Sequence, residues 1–219
     1  FLYEDAQLII VDKPAPLPMH ASGRYNRNTL IFFLRRAMPN VPVRIVHRLD
    51  ANTTGVVALA KTKAAARSVH QQLLDGAVEK TYLARVTGIP KQKHFACDLP
   101  VSRKPSRAGS RTVASAGDVG LQAKTEFTVI GEFADGTSLV ECRPVTGRTN
   151  QIRLHLSHLG WPIVGDQTYN ARAGTVKQSL ALDDAPMCLH AWRLALEHPD
   201  TAARITFEAD RPAWSVTDS

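Results

Sequence analysis

Residues 47–55 read His-Arg-Leu-Asp-Ala-Asn-Thr-Thr-Gly, and this polar stretch interrupts two apolar, β-prone segments. Residues 43–46 precede it and residues 56–60 follow it, so the pattern predicts a loop held between two buried strands. Loops on a rigid scaffold are where catalytic groups tend to lie. The loop carries one carboxylate, Asp50, which could also serve only as a turn or cap residue, because Asp accepts hydrogen bonds from neighbouring backbone N–H groups.

The charge of the chain favours a polyanionic partner. Its 219 residues, 44% of them hydrophobic, suffice for one domain or a compact bilobed one, and the formal net charge is +7. Between residues 91 and 111 a single acid, Asp98, accompanies a group of basic residues: Lys91, Lys93, Arg103, Lys104, Arg107 and Arg111. This segment is also rich in Ser, Pro and Gly, so it is predicted to be a solvated loop, a phosphate-contacting arm, or both.

Several other classes of protein are disfavoured. No apolar run approaches the length that crosses a bilayer, and residues 1–5 lack the basic and then apolar order of a secretory signal. We therefore expect a cytoplasmic, monomeric protein without membrane association. Cys97, Cys142 and Cys188 are widely spaced, which indicates neither a disulfide framework nor a zinc site, and we expect them in the core.

Periodicity predicts more strands than helices and hence an α+β fold. Strands are predicted over residues 8–11, 80–86, 124–130, 138–143, 188–196 and 204–208, with an Asp135-Gly136 turn that is typical of a hairpin. Helices are predicted over residues 29–38 with Asn28 as N-cap, 63–75 with Thr62 as N-cap, and 151–159. In the strand over residues 80–86, Tyr82, Ala84 and Val86 should share one face.

Five motifs, in chain order, resemble those of the RluA-type pseudouridine synthases. They are Asp12-Lys13-Pro14, the 47–55 stretch with Ala60-Lys61 beyond it, Lys80-Thr81-Tyr82, the run from Gly147 to Arg153, and Leu189-His190-Ala191. The resemblance spans nearly the whole chain. It implies a single catalytic domain over residues 1–219 with a basic insertion at about 91–120. It also implies a mixed, mainly antiparallel sheet with a few flanking helices and a central active-site cleft.

The function that this resemblance implies is isomerisation of specific uridines to pseudouridine in structured ribosomal or transfer RNA. The bond between C1′ and N1 is cleaved, the base rotates, and C1′ bonds to C5. Because no redox step occurs, no cofactor and no metal are expected. The reaction needs a carboxylate that acts as nucleophile or as base, two options that remain open, and a pocket that retains the detached uracil.

The resemblance also implies the roles of individual residues. Asp50 is the essential carboxylate, and Arg153 contacts it, favours its ionised form and orients it. Tyr82 packs against the uracil and assists the loss of the C5 proton, and Ile152 and Leu189 form apolar walls beside the base.

Binding of structured RNA requires extrusion of the target uridine, and the resemblance implies that Arg48 enters the RNA for this step. The other candidate binding residues are His47 and Thr54, which support the loop, Lys61 and Lys80, which make phosphate or structural contacts, and Arg148, which could hold an anion at the start of the 151–159 helix.

The sequence departs from the family pattern at two positions. Thr54 stands where serine is usual, and Asn150 stands where histidine is common, so no titrating histidine is required there. Many family members also carry an N-terminal S4-like domain, whereas this sequence opens on the first catalytic strand; either the protein lacks that domain or the sequence omits it.

Three other functions could use some of the same residues or the same basic charge. A non-catalytic RNA-binding module would explain the basic charge without Asp50. A glycoside hydrolase usually needs two carboxylates, and no second acid accompanies Asp50 in these motifs. A metal hydrolase would use His155 and His158, but no acid stands at ligand spacing, and core or capping roles are expected for both histidines.

Overall fold

The computed structural model describes residues 1–21, 27–104, 111–114, 119–170 and 186–216, and the chain divides into two compact units. The first unit comprises residues 1–80 and 190–210, and the second comprises residues 81–189 and 211–219. Within the described ranges, no helix has the length and apolar character that a membrane span requires.

The described residues form ten strands and three α-helices. The strands are β1 (Tyr3–Glu4), β2 (Leu8–Lys13), β3 (Arg44–Ile45), β4 (Thr54–Ala60), β5 (Glu79–Thr87), β6 (His94–Cys97), β7 (Thr125–Glu132), β8 (Thr137–Pro144), β9 (Leu189–Glu197) and β10 (Arg204–Glu208). The helices are α1 (Leu30–Ala37), α2 (Lys63–Leu74) and α3 (Gln151–His158). This content confirms the α+β prediction.

The sheet of the first unit is mixed and mainly antiparallel, as predicted. Its order is β1-β2-β4-β9-β10, and β3 also pairs with β4. The pair β4 and β9 is parallel, at Thr54 opposite His190 and Gly55 opposite Ala191. The last two strands, β9 and β10, pair antiparallel, from Arg204 opposite Glu197 to Glu208 opposite Arg193.

The core of the first unit explains why β4 reads as a continuous apolar run. Residues 55–60 are all buried, and Val56, Ala58 and Ala60 pack in one cluster with Ala65 and Val69 of α2. A strand that is covered on both faces has no polar side to alternate with, so its sequence lacks period two.

The predicted N-cap of α2 is correct, but that of α1 is wrong. Thr62 accepts a hydrogen bond from the Ala65 backbone N–H at 3.0 Å. In α1 the cap is Thr29 rather than Asn28, because the Thr29 hydroxyl accepts from the Phe32 N–H at 3.3 Å. The carbonyl of Pro18 bonds to the Leu30 N–H and fixes this start, one residue later than the sequence pattern predicts.

The second unit contains an antiparallel sheet of order β5-β8-β7-β6. The predicted hairpin between β7 and β8 is confirmed, and Gly136 has φ of +78° in its turn, a conformation that glycine adopts without steric cost. The predicted face of β5 is confirmed as well, since Ala84 and Val86 are buried in one cluster against which Tyr82 packs.

Part of the basic 91–120 segment is ordered as a strand rather than a loop. Residues 94–97 form β6, because Phe95 stacks on Phe127 with ring centroids 5.0 Å apart and Cys97 is buried with them. Val101 then bridges to Val113 and Leu121. Residues 105–110 and 115–118, which include Arg107, lie outside the described residues.

Candidate functional site

The loop that carries Asp50 is anchored by its apolar neighbours. Val46 and Leu49 are buried, Asp50 is half-buried, and Arg48 between them is exposed. A turn closes after the carboxylate, because the Asp50 carbonyl accepts from the Thr53 N–H at 3.2 Å. The structure therefore presents Arg48 and Asp50 from one short loop whose backbone is fixed on both sides.

Lys13 clamps the backbone beneath this loop. It ends β2, has no exposed surface, and its Nζ donates to the carbonyls of Pro14 at 2.9 Å, Leu17 at 2.9 Å and Ala51 at 3.1 Å. Burial lowers the pKa of Lys13 to about 7, while the carboxylates of Asp50 and Asp12 oppose this shift. Because Ala51 follows Asp50 directly, the bond to its carbonyl fixes the carboxylate-bearing turn.

His47 holds the other side of the loop. Its Nε2 accepts a hydrogen bond from the Ala58 backbone N–H at 2.9 Å, so the neutral ring carries its proton on Nδ1. Burial lowers the pKa of His47 to about 4, and the positive charge of Lys80 acts in the same direction. The imidazole is therefore a neutral acceptor at physiological pH and ties the loop to β4.

The contacts of Thr54 and Gly55 explain why these two residue types end the 47–55 stretch. The Thr54 hydroxyl lies 2.8 Å from Nδ1 of His190, which is buried and whose Nε2 has no hydrogen-bond partner among the residues that the structure describes. A Cβ on Gly55 would lie 2.2 Å from the Ala191 carbonyl oxygen, and the residue has φ of +108°. Glycine is required there because β4 and β9 approach each other too closely for any side chain.

Lys61, for which phosphate or structural contacts are predicted, contacts residues of the N-terminal segment. Its Nζ lies 2.9 Å from a Glu4 carboxylate oxygen and 2.6 Å from the Asp5 carbonyl. Lys80 is half-buried, and its charge acts on His47. Of the predicted basic residues in the first unit, Arg48 has the most exposed position.

In the second unit, three predicted residues gather in one apolar cluster. Tyr82 of β5 packs against a core that contains Ile152 of α3 and Leu189 of β9, which are 7% and 4% exposed. The tyrosine itself is half-buried, so its ring lies at the margin of this cluster rather than in its centre. An aromatic ring with one solvent-exposed face and one face packed on apolar residues can stack on a planar base.

The turn before α3 is organised by a buried amide rather than by a side-chain cap. Gln151 accepts from the Arg148 N–H at 3.0 Å and donates to the Lys124 carbonyl at 2.9 Å. Arg148 is exposed and its Nε donates to the Gln122 carbonyl at 2.9 Å. Asn150 occupies the left-handed region with φ of 59°, which asparagine tolerates better than most residues.

Arg153 is held by an acid that the sequence motifs do not indicate, Asp166. Its Nε and Nη2 donate to the two carboxylate oxygens of Asp166 at 2.8 and 2.9 Å, and the Asp166 side chain is fully buried. Nη1 lies 3.4 Å from Oδ1 of Asn150. The sequence does contain a sign of this turn, the pair Gly165-Asp166. Gly165 has φ of +79° and forms the turn that carries the acid.

A metal centre finds no support in the part of the chain that the structure describes, which holds no group of three or more candidate ligands. His155 lies in the core, with Nδ1 3.0 Å from the Thr125 hydroxyl and Nε2 2.9 Å from the Leu99 carbonyl. Both ring nitrogens are thus committed to protein partners, which confirms the core role expected for this histidine.

Comparisons with known proteins agree with the motifs. A family model described as RNA pseudouridylate synthase matches residues 7–158. Ribosomal large subunit pseudouridine synthase D of Nitrosomonas europaea is 37% identical over 216 residues, which cover 96% of this chain and 61% of that protein. The dual-specificity RNA pseudouridine synthase RluA of Salmonella typhi is 35% identical over 211 residues, covering 94% and 90%.

The chain is also similar to part of a longer relative and to a solved structure. Pseudouridylate synthase RPUSD2 of Mus musculus is 37% identical over 172 residues, but these span only 30% of its length. The structure of human RNA Pseudouridylate Synthase Domain Containing 1 superposes with a TM-score of 0.78 at 28% identity, covering 96% of this chain and 82% of that one.

Proposed function

Because the chain belongs to the RluA-type RNA pseudouridine synthases, we propose that it isomerises uridine to pseudouridine within structured RNA. The observation that carries this proposal is the Asp50 loop. A half-buried carboxylate lies on a short turn whose backbone is held by two hydrogen bonds. Lys13 donates to the Ala51 carbonyl, and His47 accepts from the Ala58 N–H of β4. Such rigid support is what a group that must meet one atom of a substrate requires.

The chemistry is balanced without any outside reagent. The bond between C1′ and N1 breaks, the uracil turns within the pocket, and C1′ bonds to C5. The proton on C5 is released and N1 gains one, so the nucleotide keeps its composition. Asp50 supplies the carboxylate that acts at the ribose, either by attack on C1′ or by removal of a ribose proton.

The second unit supplies the groups proposed to handle the base. Tyr82 lies at the margin of an apolar cluster that includes Ile152 and Leu189. We assign Tyr82 to stacking on the uracil and to the loss of the C5 proton, and the two aliphatic residues to the pocket wall. Arg153 is assigned to the orientation of the reacting carboxylate, in line with the family motif.

The RNA is proposed to be ribosomal or transfer RNA, with the target uridine extruded from its stack. The exposed Arg48 lies two residues from Asp50 on the same loop, which suits a side chain that enters the RNA beside the extruded base. His47 and Thr54 support this loop, and Lys61, Lys80 and Arg148 add positive charge. One relative is named for the ribosomal large subunit, which supports an RNA of that class.

Tritium release tests the proposal directly. Total RNA labelled with tritium at uracil C5, taken from cells that lack the protein, is incubated with wild-type protein, Asp50→Asn and Asp75→Asn. Asp75 is an exposed acid at the end of α2, so its variant is a matched control. We expect release by wild type and by Asp75→Asn and complete loss in Asp50→Asn, because the amide is neither a nucleophile nor a base.

The same samples are assayed for RNA binding and thermal unfolding, which Asp50→Asn should leave unchanged since the amide has the same shape. Absence of release from any cellular RNA, together with tight RNA binding by all three proteins, would contradict the isomerase proposal. That result would favour the non-catalytic RNA-binding module.

A further inference from the structure

The guanidinium of Arg153 is fixed in plane by one buried partner. Asp166 takes two parallel hydrogen bonds from its Nε and Nη2, at 2.8 and 2.9 Å. The guanidinium is planar and its donors have fixed directions, so a bidentate bond on one edge determines where the Nη1 edge points. The ring of Tyr169 lies against the same group, with Cζ of Arg153 5.0 Å from its centroid.

Asp166 is itself fixed by the backbone that follows it. Its Oδ1 accepts from the N–H groups of Thr168 at 2.9 Å and Tyr169 at 3.1 Å. The turn that presents it depends on Gly165, where a Cβ would lie 3.2 Å from Cα of Met187 in a left-handed backbone conformation. The position of the carboxylate is therefore set by contacts other than its bond to Arg153, so that it offers the guanidinium a fixed partner.

Tyr169 is anchored on its far side as well. Its hydroxyl donates to the Arg111 carbonyl at 2.9 Å and accepts from the Arg111 N–H at 2.9 Å and from Nδ2 of Asn150 at 3.1 Å. Asn150 thus contacts both the tyrosine and Arg153. The guanidinium is enclosed by three groups, each of which is held by further hydrogen bonds.

Stability alone does not explain a buried ionic pair at this position. The Asp166 side chain is 0% exposed and that of Arg153 is 11% exposed. The desolvation of two charges largely offsets their attraction, and well-packed apolar residues of similar volume give equal or greater stability in many proteins. A fixed arginine is, however, what a reaction that depends on the orientation of a charged group requires.

We propose that Asp166, supported by Tyr169, is a positioning residue that sets the orientation of Arg153 for uridine isomerisation. This inference rests on the proposed function. Asp166 acts through Arg153 and does not touch the substrate. The pair therefore affects the rate of the chemical step, whereas the affinity for RNA depends on other residues.

A double-mutant cycle tests the inference. Single-turnover isomerisation of an RNA identified by tritium release is measured for wild type, Asp166→Asn, Arg153→Ala and the double variant. Asp166→Asn should slow the step by about 100-fold, the scale that a displacement of roughly 1 Å causes, with the dissociation constant for RNA unchanged. In the Arg153→Ala background the same substitution should cause no further loss, because no guanidinium remains to be oriented.

Controls separate positioning from folding. Asp135→Asn removes an exposed acid paired with Arg85 in the same unit and should leave the rate unchanged. Tyr169→Phe keeps the ring and removes only the hydroxyl, so it should slow the step less than Asp166→Asn. Nuclear magnetic resonance of the Arg153 Nε–H should show a downfield, slowly exchanging proton in wild type that Asp166→Asn loses.

The outcomes are distinct. A wild-type rate in Asp166→Asn, or an equal loss in both arginine backgrounds, would overturn the positioning role while the isomerase function stands. Inactive wild-type protein would overturn the proposed function and this inference together. A tenfold or greater loss confined to the background that retains Arg153, with the Tyr169→Phe loss in the same direction, would support the inference.

Discussion

The two units secure their candidate groups by different means. In the first, the Asp50 loop is held by a neutral imidazole and by the side-chain nitrogen of Lys13, which faces backbone carbonyls. In the second, Arg153 is held by a full ionic pair with Asp166. Burial lowers the pKa of both His47 and Lys13 and so favours their uncharged forms. The second unit instead pairs two groups of opposite charge. The two arrangements should respond differently to mutation and to pH.

The largest expected effect is on the ionic pair of the second unit. Asp166→Asn removes the charge of the carboxylate that takes two hydrogen bonds from the guanidinium of Arg153, and we expect the free energy of unfolding to fall by about 3–5 kcal/mol. The matched change Glu208→Gln breaks the exposed pair of β10 with Arg193, whose side chains are 47% and 42% exposed, and should cost only about 0–1 kcal/mol. Urea denaturation of both variants measures the difference.

Equal losses in these two variants would contradict the distinction between buried and exposed pairs. A small loss in Asp166→Asn would mean that water or a local rearrangement compensates Arg153. The bidentate geometry would then add little to stability beyond what an ordinary surface pair supplies.

The sequence predicts those features that depend on neighbouring residues. The cap at Thr62, the Asp135-Gly136 hairpin and the face of Tyr82 all follow from local periodicity and turn chemistry, and the structure confirms them. The loop predicted over residues 47–55 is confirmed only as far as Thr53, because Thr54 and Gly55 already belong to β4, where they pair with β9.

Features that depend on distant packing could not be predicted in the same way. Lysine is seldom fully buried, so nothing in a Lys-Pro pair indicates that Lys13 donates to a carbonyl at residue 51. Arg153 and Asp166 are separated by a helix end and a turn, and their contact depends on the backbone path between them. Thr29 caps α1 because the Pro18 carbonyl fixes the start of the helix.

The next largest effect concerns the pH dependence of the first unit. The pKa of His47 is about 4 in the folded protein and 6.5 unfolded, so the unfolded state binds more protons between these values. The contribution of neutral His47 to the free energy of unfolding should therefore be fully present above pH 6.5. It should be lost, by about 3 kcal/mol, as the pH drops through 4. Protonation also removes the acceptor of the Ala58 N–H.

His47→Gln should flatten this part of the pH profile, because the amide oxygen can accept the same bond without titrating. Some slope will remain, since burial also lowers the pKa of His190 and His155. Urea unfolding at a series of pH values from 7.5 to 4 provides the measurement, with His70→Gln on the exposed side of α2 as control. An unchanged slope in His47→Gln would show that the loop does not depend on a neutral imidazole.

The smallest of these effects at pH 8, and the one that most sharpens the comparison, is expected at Lys13. Lys13→Met keeps the length of the side chain but withdraws a donor from three carbonyls, while it also removes the cost of burying a polar amine. Unsatisfied buried acceptors dominate in such cases, so we expect a net loss of about 1–3 kcal/mol at pH 8. Lys63→Met, on the exposed side of α2, should stay within about 0.5 kcal/mol of wild type.

The sign of the pH dependence distinguishes Lys13 from the ionic pair. Because its pKa falls from 10.5 to about 7 on folding, the unfolded chain binds more protons between these values, and wild-type stability should rise with pH across that range. The deficit of Lys13→Met should widen accordingly, whereas that of Asp166→Asn, a variant that retains Lys13, should stay constant over the same range. A Lys13→Met deficit that does not change between pH 7 and 10 would mean that Lys13 remains charged in the fold, and the first unit would then hold its loop by charge, as the second unit holds Arg153.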